Sequence, residues 1–179
     1  MFKKISTLLL SSSLLFLSAL FVPTSASAYN LLGGKYGVTT IGFNYQGTSA
    51  TYNLATATGI SAWKNANVDV SFESHSAGET NTILFYNDSY GANIGWNAQC
   101  ANKPVHTSGT YTKSIIDFNT STMDSMSNAQ RQGVSAHEIG HALGLDHVSD
   151  KYQIMCTWGD GRVATSPGSD DIKGVNYLY

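Results

Sequence analysis

Two regimes of hydrophobic patterning divide the chain. From Leu8 to Val22 the residues are apolar and interrupted only by serines, with Lys3 and Lys4 ahead and Ala26-Ser27-Ala28 behind. Positive, apolar, then small: this order predicts a secretory leader, residues 1–28, removed before Tyr29. About fifteen apolar residues fall short of the roughly 20 that a spanning helix needs. The expectation is therefore a secreted, extracellular product with no membrane attachment once the leader is gone.

Beyond Tyr29 the period switches between two and three to four. From Val38 to Tyr45 ("VTTIGFNY") Ile41, Phe43 and Tyr45 share one face, which predicts a strand. Ser49 or Thr51 then opens a helix reaching about Asn65, with Tyr52, Ala55, Ala62, Trp63 and Ala66 along one stripe. Val68, Val70 and Phe72 alternate as a second strand, Thr82 to Tyr86 is a third, and Tyr111 to Phe118 a fourth. The Gly- and Asn-rich "NDSYGANIGWNAQC" between the last two reads as loop with room for a short edge strand. Ser127 and Gln130 form an S-x-x-Q capping box that opens a second long helix, and Gly144 is placed to end it. Ser166-Pro167 predicts the start of a closing helix, with Asp170 and Asp171 at its positive end and Ile172, Val175 and Leu178 buried. The order predicts an α+β, mixed three-layer fold: one domain over 29–179.

Charge narrows the partners. Without Lys3 and Lys4 the chain carries eight basic and twelve acidic side chains, net −4, with no basic patch. Nucleic-acid binding has no electrostatic footing here. Cys100 and Cys156 are the two cysteines, and for an exported chain the pair reads as a disulfide.

Three of the five histidines fall within "AHEIGHALGLDH", Ala136 to His147. His137 and His141 are four apart and so project from one face of a helix, able to bind one ion together. Glu138 lies beside the first, near enough to act as general base on a water that the ion acidifies. A chain turned back at Gly144 brings His147 in as a third ligand. Three imidazoles leave a fourth position open, the pattern of a catalytic zinc site.

"HEIGHALGLDH" resembles the extended signature H-E-x-x-H-x-x-G-x-x-H of the metzincin metallopeptidases, and within them the matrixin branch with its short bacterial-type members. "YQIMC" puts Met155 eight residues after His147, where that family has its Met-turn, and Asp170-Asp171-Ile172 is similar to the opening of the closing matrixin helix. The first strand, long helix and second strand resemble the family's opening more loosely. The resemblance implies a mostly parallel twisted sheet, two long helices and a C-terminal helix. It also implies a single zinc on His137, His141 and His147, Glu138 as catalytic acid and base, and hydrolysis of peptide bonds in protein substrates by a monomer. In the same way "CTWGDG" after Met155 becomes a wall of the substrate pocket, with Trp158 shaping it. Too few residues separate Ala28 from the first strand for a propeptide that holds the zinc with a cysteine. His75 and His106 lack the pattern of the family's second zinc and are assigned no metal. Calcium, common in the family, finds no acidic loop motif here and stays open as a second cofactor.

The ligand set admits two other readings: a zinc-holding extracellular binding domain without turnover, which has no use for Glu138, and a zinc hydrolase of a non-peptide bond. Digestion of casein or gelatin separates them.

Overall fold

The structure, a computed structural model, describes residues 29–104 and 109–179; the leader, residues 1–28, and His106 lie outside the described residues. The element order is β1 (Asn30–Leu31), β2 (Gly34–Tyr36), β3 (Thr40–Tyr45), α1 (Ala50–Asn65), β4 (Ser71–Ser74), β5 (Thr82–Asp88), β6 (Ala98–Lys103), β7 (Gly109–Tyr111), β8 (Lys113–Asn119), α2 (Thr120–Met123), α3 (Asn128–Leu143), β9 (Leu145–Asp146) and α4 (Ser169–Leu178). This is an α+β fold around a five-stranded sheet ordered β4-β3-β5-β8-β6. Its pairings are parallel except at β6, an antiparallel edge strand on β8. Two small pairings tie the ends together: β2 with β7, and β1 with β9.

Several strand boundaries move from those the alternation predicts. The first strand begins at Thr40, leaving Val38 38% exposed. The second begins at Ser71: Asn67 takes a positive φ of 54°, so Val68 and Val70 reach the core from a loop before pairing starts. The expected fourth strand is two, because Thr112 gives its amide to Lys103 between β7 and β8. The Gly-rich loop carries the edge strand β6 at its far end. The closing helix starts later than Ser166-Pro167 predicts, with Gly168 as N-cap. Asp171 decides this, since its carboxylate accepts from the Gly168 amide at 2.8 Å. Val175 is fully buried, whereas Ile172 and Leu178 are half-buried.

The two long helices cross closely. Tyr52, Ala55, Ala62 and Trp63 of α1 are buried as its stripe predicts, while Ala66 is half-buried. Trp63 donates its indole N–H to the Ala136 carbonyl of α3 at 2.9 Å. Gly59 lies at the closest approach: a Cβ there would sit 2.5 Å from Ser135 Oγ and 3.1 Å from the Ala136 amide nitrogen. One turn of α3 further on, a Cβ at Gly140 would meet Met155 Sδ at 2.3 Å and Trp63 at 3.2 Å. The missing side chain lets Met155 pack against the helix.

The turn carrying Met155 is fastened from the other side by Asp171, 2% exposed, whose carboxylate accepts the Ile154 amide at 2.6 Å and the Met155 amide at 3.2 Å. Burial pushes this carboxyl up and the three backbone amides pull it back.

Two stability measurements follow from this packing. Gly59→Ala should lower the thermal midpoint: alanine adds about 1 kcal/mol of helix propensity, but overpacking a tight crossing costs roughly 1–3 kcal/mol. A rise in midpoint would show that the helices can part at no cost. Asp171→Ala strands three amides and should cost about 3 kcal/mol in denaturant unfolding; a loss below about 1 kcal/mol would mean that water replaces the carboxylate.

Candidate metal centre

Helix α3 is set at both ends by its own sequence. At the start, the Ser127 amide donates to Gln130 Oε1 at 2.8 Å and the Gln130 amide donates to Ser127 Oγ at 3.3 Å, the reciprocal pair of a capping box. At the end, Gly144 takes φ 105°, a left-handed cap that costs a glycine little. A Cβ there would also lie 2.3 Å from the Gly34 carbonyl oxygen. The chain then reverses into β9, which pairs with β1. Asn30 donates its side-chain amide to the His147 carbonyl at 2.7 Å, and Asp146 Oδ1 accepts the His147 amide at 2.7 Å. His147 is thus positioned by the first residues of the described chain, a contact with no local signal in the sequence.

The three histidines meet. His147 Nε2 lies 3.1 Å from the Nε2 atoms of both His137 and His141. The far side of each helical imidazole is committed: His137 Nδ1 lies 2.7 Å from the Ile154 carbonyl and His141 Nδ1 2.9 Å from the Leu145 carbonyl. A carbonyl only accepts, so both rings carry their proton on Nδ1 and turn a bare lone pair inward at Nε2. His147 can donate to one of those lone pairs, not both. Three imidazole nitrogens converging in this way fit a cation, and among the described residues this is the group able to hold a metal ion. Burial drives the pKa of His137 well down and that of His141 to about 4, so both stay neutral, as ligands must.

Glu138 is buried at 6% exposure, lining the same cleft as the histidines. Burial pushes its carboxyl up to about 8, and the Arg162 charge opposes that. A cation between the imidazoles acts in the same direction as Arg162 and favours the carboxylate. The cleft holds about 690 Å³ and is walled by Trp96 to Cys100 on one side and by Thr157, Trp158 and Arg162 on another. Trp158 is 43% exposed at this wall.

The expected disulfide does not form: Cys100 and Cys156 are both free thiols. They sit in different parts of the structure. Cys100 sits on β6, its Sγ 3.8 Å from Asn102 Oδ1, and lines the cleft. Cys156 is fully buried in the Met155 turn, its Sγ directed at the Ser149 and Thr157 carbonyls. His75 is engaged by Thr82 Oγ1 at 3.0 Å and Glu73 Oε1 at 3.1 Å. Three residues around the site have roles that escape the sequence reading. Asp171 is legible there as a charge at a helix start and as part of the D-D-I resemblance, not as the anchor of the Met155 turn, and Arg162 only as one arginine in a polar loop. Asn102 is a third: it donates to the His141 carbonyl at 3.0 Å from the edge strand.

Comparison with known proteins places this arrangement. The family model described as Matrixin matches residues 38–179. Among curated relatives, metalloendoproteinase 2-MMP of Arabidopsis thaliana is 43% identical over 49 residues, 27% of this chain and 13% of that protein. Macrophage metalloelastase of Oryctolagus cuniculus is 48% identical over 48 residues, 26% of this chain and 10% of its own length. Matrilysin of Homo sapiens is 45% identical over 47 residues, covering 25% and 18%. The matched segment is therefore less than a fifth of each of these relatives. The family match is far broader, running from the first core strand through the histidine helix and the Met155 turn to the last residue, and the chain belongs to the matrixin family.

Proposed function

We propose that this chain is a secreted zinc-dependent endopeptidase, a single catalytic domain over 29–179 that acts as a monomer on protein substrates. His137, His141 and His147 hold the ion and Glu138 is the general base. The observation that carries the reading is the pair of bare Nε2 lone pairs facing His147 Nε2, with a buried carboxylate in the same cleft. Membership of the matrixin family supports it, as do the names of relatives that include a metalloelastase and a metalloendoproteinase. The leader pattern supports export, and no described helix is long and apolar enough to cross a membrane.

Zinc on these nitrogens supplies Lewis acidity, polarising a carbonyl oxygen and lowering the pKa of water. The protein's own groups do the rest. The Ile154 and Leu145 carbonyls hold the helical imidazoles in one tautomer and one orientation. Met155, 1% exposed against Gly140, gives that turn a fixed seat. The Glu138 carboxylate takes the proton of the attacking water as the C–O bond forms. It returns that proton to the amine nitrogen as the C–N bond breaks. Arg162, in the same cleft, favours the ionised form of Glu138 that the first of these transfers requires.

Hydrolysis of unfolded casein, with zinc content assayed in parallel, tests this reading. Glu138→Gln should keep one zinc per chain and lose on the order of 10²- to 10⁴-fold in kcat. Zinc in both proteins and turnover in neither would overturn general proteolysis. His147→Ala should lose zinc at concentrations where the native chain stays loaded, and with it the ligand-linked rise in thermal midpoint. An unchanged zinc titration would remove His147 from the ligand set.

A further inference from the structure

Among the described lysines and arginines, only Arg162 is buried, at 8% exposure. Its Nη1 donates to the Ile154 carbonyl at 3.1 Å and, more loosely, to the Cys156 carbonyl at 3.5 Å. Its Nε is buried with no partner. The ion pairs among the described residues join His75 to Glu73 and Glu79, and Lys173 to Asp170; none includes Arg162. The guanidinium lies 6.0 Å from the Trp158 ring centroid and lines the cleft with His137, Glu138 and Thr157.

Among the described residues no carboxylate reaches ion-pair distance of Arg162, and Glu138 and Asp171 act on its charge only from farther away. A buried cation with no directly bonded counter-ion is costly, because carbonyl dipoles do not neutralise it. A guanidinium carries five N–H donors in a planar fork matched to a carboxylate, and the two carbonyls engage only Nη1. Holding the Met155 turn would need no more than a neutral donor. The surplus is a positive charge and open donors in the wall of the cleft, beside the proposed base.

We propose that Arg162 makes this cleft a carboxylate-binding site, so that the enzyme selects substrates with an acidic group on a residue flanking the bond to be cut. The inference rests on the peptidase reading above and adds the substrate class. An apolar side chain in the same place leaves the guanidinium desolvated and unpaired, so discrimination arises from rejection as well as attraction. The carboxylate has two sources, an Asp or Glu side chain or the free end of a peptide.

The test is mass-spectrometric mapping of cut sites made by the zinc-loaded native enzyme in a proteome-derived peptide library, offered with free and with amidated C-termini. Asp or Glu should be enriched at one flanking position, and matched Glu and Gln peptides should differ on the order of tenfold in kcat/KM. If the preference holds in amidated peptides, the side chain is the source; cutting confined to free C-termini identifies the chain end. In Arg162→Gln the Glu-to-Gln ratio should fall to near unity and in Arg162→Lys it should be partly kept. The ratio is insensitive to any general loss of zinc that follows from disturbing Ile154. Apolar residues at both flanking positions of native cut sites would overturn the proposal while leaving the peptidase reading intact. Should no peptide be cut, that reading fails instead. Trp fluorescence titrations with N-acetylglutamate amide and N-acetylglutamine amide then decide for Arg162: equal binding, or binding unchanged in Arg162→Gln at equal zinc content, would overturn it.

Discussion

A straight helix can offer two ligands to one ion, and the third has to come back from beyond its end. Everything around the cleft serves that return. Gly144 ends α3 in a conformation that costs other residues dearly, and the close carbonyl of Gly34 leaves no room for a side chain there. The pairing of β9 with β1 then fixes the direction of the returning strand. The two imidazoles on the helix are in turn oriented by carbonyls from the Met155 turn and from β9. The ligand set is therefore assembled from the start, the middle and the late part of the described chain.

The same economy governs charge. Glu138 and Arg162 are both buried in a cleft whose other polar groups are imidazoles, hydroxyls and amides. In a low dielectric each charge acts strongly on the others. A carboxylate kept out of water drifts toward its protonated form, and the guanidinium and the expected cation draw Glu138 back. Asp171 shows the structural counterpart: a buried carboxylate made tolerable by three amide donors, which thereby locks α4 to the turn beneath the site.

Much of this was legible before any coordinates. The two long helices followed from caps and stripes, because these signals are local: Ser127 and Gln130 act within one turn at the start of α3, and Gly144 acts on the last turn at its end. The candidate ligands were legible for the same reason, since a spacing of four is enough to align His137 with His141. Strand edges were less so. Val68 and Val70 alternate as a strand does, yet Asn67 turns the chain and only the pairing with β3 decides where β4 begins.

What the sequence by itself determined is the long helices, most of the core strands, the candidate ligand types and the family resemblance, all written in short-range spacing, whereas the short β1, β2, β9 and α2 carried no such signal. The tertiary structure alone decided that Cys100 lines the cleft while Cys156 stays a separate thiol buried in the Met155 turn, that Asn30 steadies His147, and that Asp171 holds the Met155 turn. It also decided that Arg162 lines the cleft with its Nε unpaired and no ion-pair partner among the described residues. These contacts join residues far apart along the chain, and their energy depends on burial and on which donors and acceptors remain unmatched. Neither quantity exists until the core has closed.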